Sequence, residues 1–143
     1  MAIARKEVLQ EKLTALSANG TRFAYTADEA LAMLDLFAAE NTLAANRMKS
    51  ARLNELLQGI AADPRIRDYR NRGMIWAFDA IVNDADKAAS FSRRFHEAAL
   101  KHELLLRPIG TTVYLMPPYV LDDDELVHLA RATHSAFNEA MAA

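Results

Sequence analysis

Leu104-Leu105-Leu106-Arg107-Pro108-Ile109-Gly110-Thr111-Thr112-Val113-Tyr114-Leu115-Met116-Pro117-Pro118-Tyr119 is the stretch on which the reading of this chain turns. One arginine closes an apolar run, a Pro/Gly turn follows, and a tyrosine sits inside a second apolar run. The pattern predicts a short hairpin, with Leu104–Leu106 and Thr112–Leu115 as its strands, holding a guanidinium and a phenol near each other at the rim of a core. The planar fork of an arginine donates two parallel hydrogen bonds, which suits a carboxylate. Arg107 and Tyr114 are therefore the candidate binding pair. A charged hydrogen bond contributes roughly 1.5–3 kcal/mol net, enough to orient a ligand and too little to hold one tightly alone. Without further context, Arg107 reads as a solvent-facing strand-end residue and Tyr114 as a half-buried core residue.

The surrounding composition narrows the function. At 143 residues the chain is read as one domain, 52% hydrophobic and rich in alanine and leucine. A net charge of −2 gives no basic footprint for nucleic acid. The absence of cysteine excludes disulfides, thiolate metal sites and cysteine nucleophiles. No apolar run is long enough to span a membrane, and Met1-Ala2-Ile3-Ala4-Arg5-Lys6 does not read as a signal peptide, so a cytoplasmic location is expected.

Outward from the central stretch, hydrophobic spacing predicts a helix over 5–17 that ends at Asn19-Gly20, then a loop to Ala27. Asp28 is the expected N-cap of a long helical region reaching about Ala61, with a bend at Asn41-Thr42 and a stop at Asp63-Pro64. Gly73–Ala80 is the clearest strand. Asp84–Lys101 is a helix whose buried stripe is Ala88, Phe91, Phe95, Ala98 and Ala99. Asp122 caps a last helix, with Glu125 in the capping-box position and Leu126, Leu129, Ala130, Thr133 and Phe137 facing inward. The simplest packing is an α+β, two-layer fold: a small three-stranded sheet, antiparallel or mixed, with helices on one face.

Other candidates read more simply. His96, His102, His128 and His134 lack the spacing of a metal pair and are taken as surface or helix-end residues, with no metal expected. Asp122-Asp123-Asp124-Glu125 is a helix start rather than a cation site. Arg65, Arg67, Arg70 and Arg72, beside Asp63 and Asp68, read as a solvated loop. Trp76 and Phe78 are core or interface.

The Arg107–Tyr119 run resembles the C-terminal segment of the diaminopelargonic acid synthases (adenosylmethionine-8-amino-7-oxononanoate aminotransferases), class III pyridoxal-phosphate transaminases of biotin synthesis. Ala2-Ile3-Ala4-Arg5-Lys6-Glu7-Val8, Leu31–Phe37 and Arg72-Gly73-Met74-Ile75-Trp76-Ala77 resemble further pieces of the same enzymes. The resemblance implies the small C-terminal domain of a fold-type I aminotransferase. Residues 1–27 would be the remnant of the large-domain end and 28–143 the small domain. It also implies that Arg107 takes the carboxylate of the oxo-acid substrate and that Tyr114 lines the same pocket near the amino donor. The family's Schiff-base lysine and the aspartate that pairs with the cofactor ring nitrogen lie upstream of the matched region. The five lysines here, Lys6, Lys12, Lys49, Lys87 and Lys101, stand in charged or helix-terminal contexts rather than in the desolvated pocket an imine needs. Tyr25-Thr26-Ala27-Asp28-Glu29 corresponds to the family's phosphate-contacting loop, but Glu29 would repel a phosphate, which makes Thr26 a poor ligand. The expectation is a truncated transaminase domain with no catalytic residue and no cofactor of its own, pyridoxal phosphate belonging to the intact enzyme. It would form a homo-oligomer or pair with a chain carrying the large domain. The alternatives are a stand-alone binding or scaffold protein, or one half of a split transaminase.

Overall fold

A computed structural model of the chain describes residues 27–142. The helix expected over 5–17, the loop after it and Thr26 lie outside the described residues. The elements run α1 (Ala27–Ala39), α2 (Thr42–Leu56), α3 (Gln58–Ala61), β1 (Ile66–Arg72), β2 (Ile75–Ala80), α4 (Ala85–Lys101), β3 (Thr112–Leu115) and α5 (Asp123–Ala142). Two compact units divide at Ala44/Ala45. In the first, α1 already includes Asp28, so that residue lies in the first helical turn rather than at the N-cap, where its charge still suits the helix dipole. The expected bend is present: Asn41 adopts a left-handed φ of 50°, which ends α1.

In the second unit the three strands form an antiparallel sheet in the order β1-β2-β3. The apolar run after Gly73 supplies β2, and its strict alternation builds the two faces. Trp76, Phe78 and Ala80 are buried, as are Val113 and Leu115 of β3, while Ala77, Asp79, Thr112 and Tyr114 point to the other side and are half-buried. Leu53, Leu57 and Ile60 from α2, α3 and the joint between them, Phe91 and Phe95 from α4, and Leu126 and Phe137 from α5 join the buried strand residues in a single core cluster. The Phe137 ring meets Phe78 edge-on, centroids 5.8 Å apart. The Trp76 indole donates from Nε1 to Asn54 Oδ1 at 2.7 Å, so its polar edge is satisfied within the core.

Two strand assignments differ from the sequence expectation. The Arg65–Arg72 segment, read as a solvated loop, is mostly the edge strand β1. Its signal is hidden by a bulge: Asp68 has φ 56° and the register slips between Arg67 and Arg70, so Ile66 and Tyr69 pack on the core three residues apart instead of two or four. Arg67, Arg70 and Arg72 take the outward positions opposite Asp79, Ala77 and Ile75. Gly73, at φ 60°, opens the two-residue link to β2, and Asn71 Nδ2 staples it by donating to the carbonyls of Gly73 and Ile75.

Conversely, Leu104–Leu106 is no strand. Helix α4 ends in a Schellman motif, with the Glu103 N–H bonded to Leu100 O and the Leu104 N–H to Ala99 O, and the chain leaves it as irregular coil. The expected turn does form beyond it. Ile109 and Thr112 exchange both backbone hydrogen bonds at 2.9 Å around Gly110, whose φ is 58°. The helix starts follow the sequence closely: Asp84 Oδ1 accepts from the Lys87 N–H, and Asp122 and Glu125 cap each other reciprocally.

Candidate functional site

Arg107 lies in the coil between α4 and β3. Its side chain is exposed and makes no hydrogen bond or ion pair among the described residues. The backbone on either side is held from α4. His96 Nδ1 donates to the Leu106 carbonyl at 2.7 Å, and Ser92 Oγ donates to the Pro108 carbonyl at 2.5 Å. These contacts tie the Leu106 and Pro108 carbonyls to α4 rather than to a strand. Tyr114 sits on the sheet face away from the helices, opposite Ala77. Arg107 and Tyr114 each stand two residues from the Ile109–Thr112 bridge on opposing arms of the turn, and no hydrogen bond joins them.

The open face around Tyr114 is polar. Thr112 Oγ1 donates to Asp79 Oδ1 at 2.7 Å, and Arg70 approaches the same carboxylate at 3.6 Å. Arg65 is a different case from its neighbours. Its guanidinium donates to both oxygens of Asp63 and to Asn138 Oδ1, and lies 5.0 Å from the centroid of the Phe137 ring. The hydrogen bond from Arg65 holds the Asp63 carboxyl down at about 2, against an opposing push from burial. This arginine therefore locks the start of β1 to α5 and is not open to a ligand in the way Arg107 is.

Below the Arg107 coil runs an apolar groove of about 490 Å³, with Leu104, Leu106, Leu115, Met116, Pro117 and Leu121 among its walls and Asp124, Glu125 and His128 as its charged or polar members. The segment that forms its far wall is tied down from α2. Lys49 Nζ donates to Tyr119 O at 2.6 Å, and Arg52 binds Asp123 at 2.7 Å. That contact with Arg52 holds the Asp123 carboxyl below its usual range.

An imine with pyridoxal phosphate needs a lysine amine in a desolvated pocket. Lys49 is spent on a backbone carbonyl, Lys101 pairs with Glu139 at 3.2 Å, and Lys87 is exposed in the first turn of α4. None stands in an enclosed pocket beside a phosphate cradle, so these residues do not fit the anchoring of pyridoxal phosphate. Lys6, Lys12 and Thr26 lie outside the described residues. Also among the described residues, no group of three histidine, aspartate or glutamate side chains could hold a metal.

Sequence reasoning missed Ser92 and His96. They stand four residues apart on one face of α4, a spacing that was visible. Their partners are backbone carbonyls 16 and 10 residues away, and carbonyls carry no sequence signal.

Comparison with known proteins gives this geometry a family. The profile of the class-III aminotransferases matches residues 3–137. The chain belongs to the class-III aminotransferase family. Among its relatives, the adenosylmethionine-8-amino-7-oxononanoate aminotransferase of Helicobacter pylori is 33% identical over 99 residues, which are 66% of this chain and 22% of that protein. The Methanocaldococcus jannaschii protein of the same name is 26% identical over 117 residues, 78% of this chain and 25% of its own length. Its solved structure superimposes with a TM-score of 0.70 at 25% identity, covering 83% of this chain and 30% of the other. An omega-transferase from Vibrio fluvialis JS17 gives a TM-score of 0.72 at 27% identity, covering 90% and 33%. This class-III aminotransferase chain thus spans about a fifth to a quarter of the curated relatives it matches. No helix among its described residues is long and apolar enough to cross a membrane.

Proposed function

We propose that this chain supplies the carboxylate-recognising part of a class-III aminotransferase site of the adenosylmethionine-8-amino-7-oxononanoate type. Arg107 is the clamp, and Tyr114 lines the same site. The observation that carries this is a guanidinium left exposed, and unpaired among the described residues, on a stretch whose flanking carbonyls are both tied to a helix anchored in the core by Phe91 and Phe95. A solvated arginine of no purpose needs no such support, whereas a bidentate clamp depends on a fixed backbone. The neighbouring groove offers apolar wall for the carbon chain of a fatty oxo-acid.

Amino-group transfer needs an amine poised for an imine, and the settings of Lys49, Lys87 and Lys101 support a chain that recognises without transferring. Catalysis then falls to a partner carrying that amine, either a large-domain chain or a neighbouring subunit. The test is calorimetric titration with 8-amino-7-oxononanoate. The unaltered chain is expected to bind it and to ignore its methyl ester. R107A should weaken binding by roughly ten- to a hundredfold, the worth of a charged hydrogen-bonded contact. Equal affinity in R107A, or no binding by the unaltered chain, overturns the proposal.

A further inference from the structure

We propose that Ser92 and His96 are positioning residues for Arg107. The proposal rests on the reading of Arg107 as a carboxylate clamp and deepens it. Residues four apart on a helix lie one turn above each other on the same face. Ser92 and His96 are such a pair, interleaved with Phe91 and Phe95, which are fully buried and fix the helix in the core. Their two donors reach the carbonyls immediately before and immediately after Arg107, at 2.7 Å to Leu106 and 2.5 Å to Pro108. The coil is thereby gripped on both sides of Arg107, whose side chain is exposed and makes no hydrogen bond or ion pair among the described residues.

The chemistry fixes the state of the imidazole. A carbonyl oxygen only accepts, so Nδ1 of His96 carries a hydrogen when it makes this contact. The grip matters because the coil from Leu105 to Pro108 belongs to no strand and has no ladder to set its course. Released, the coil would spread Arg107 over many positions, and a two-point carboxylate contact would lose the orientation on which it depends.

The experiment uses the full chain and 8-amino-7-oxononanoate as probe, with affinity measured by calorimetry and backbone amide exchange followed over residues 104–109. S92A and H96A are each expected to weaken binding by roughly tenfold, the size of one lost orienting hydrogen bond, and to speed exchange in the coil. S92T, which keeps the hydroxyl, and H96N, whose amide nitrogen falls near the position of Nδ1, are expected to restore most of the affinity. H102A is the stability control, because that ring contacts Glu139 rather than the coil; it should lower the melting point without touching affinity. Unchanged affinity in S92A and H96A overturns the positioning role while leaving Arg107 as the clamp. So does a loss matched by H102A, or a loss that neither S92T nor H96N repairs. Absence of binding in the unaltered chain removes the Arg107 reading and this one with it.

Discussion

Asp63 and Arg65 concentrate more interaction than any other charged pair in the described unit. The carboxylate accepts from the Arg65 side chain at 2.6 and 2.9 Å and from the Arg65 backbone N–H at 2.8 Å, with its own side chain only 9% exposed. Its carboxyl falls from its usual 3.8 to about 2, chiefly through that side-chain hydrogen bond. A depressed carboxylate stabilises the fold at pH values above the unfolded-state pKa, and the contribution disappears as pH falls through the folded value. The window therefore runs from about pH 4 down to about pH 2. D63N is expected to lose about 1–2 kcal/mol at neutral pH, allowing for screening at the 41%-exposed Arg65. It should also flatten the acid limb of a stability-against-pH curve measured by denaturant unfolding; an unchanged limb would contradict the assignment. This pair was hidden in the sequence, where Arg65 is one of four arginines in a row of charges. Only the chain reversal into β1 brings it over Phe137, and nothing local announces that. Arg107, by contrast, reads from the sequence alone as a solvent-facing residue, and it is exposed; its carboxylate role rests on the family resemblance, because one guanidinium beside a turn carries no ligand signal of its own. Tyr114 was equally legible as half-buried. Y114F is expected to weaken 8-amino-7-oxononanoate binding by no more than about tenfold, since one neutral hydrogen bond is at stake; a loss as large as that of R107A would assign the phenol a larger share.

The helix ends show how local chemistry sets the elements. Asp122 and Glu125 satisfy each other's N–H groups at 2.8 and 2.9 Å. D122A should therefore cost about 1 kcal/mol, read as a lower unfolding midpoint. At the other end of the site, α4 closes with Glu103 in the left-handed region at φ 61°, a position where glycine is unstrained. Glu103 is exposed, so E103G should stabilise by roughly 0.5–1 kcal/mol without disturbing packing. A destabilised E103G would mean that the side chain contributes more than its contacts indicate. Helices α4 and α5 could be read from sequence because their periodicity and their caps agree. The strand count was also legible, but not the identity of every strand. A bulge disguised β1, and side chains of α4 tie down the leucine run before Arg107. The first is a local backbone irregularity at Asp68, and the second involves contacts 10 and 16 residues apart, neither of which β propensity reports.

At the scale of the molecule, the second unit keeps a well-filled core yet leaves a row of apolar side chains in solvent. Leu105 is 71% exposed, Met116 63% and Val120 85%, all in segments that flank the apolar groove. Apolar surface of this kind favours association. The chain is expected to sediment as a dimer or larger species at high concentration, and L105D combined with V120D should shift it toward monomer; a clean monomer for the unaltered chain would contradict that. Under the function proposed above, this stretch of a class-III aminotransferase recognises a substrate it does not itself convert. The direct measurement is amino-group transfer by the purified chain supplied with pyridoxal phosphate, adenosylmethionine and 8-amino-7-oxononanoate. No product is expected beyond the protein-free rate, and activity should appear only when a chain carrying the imine-forming lysine is added. Sustained turnover by this chain with no second protein present would contradict the account.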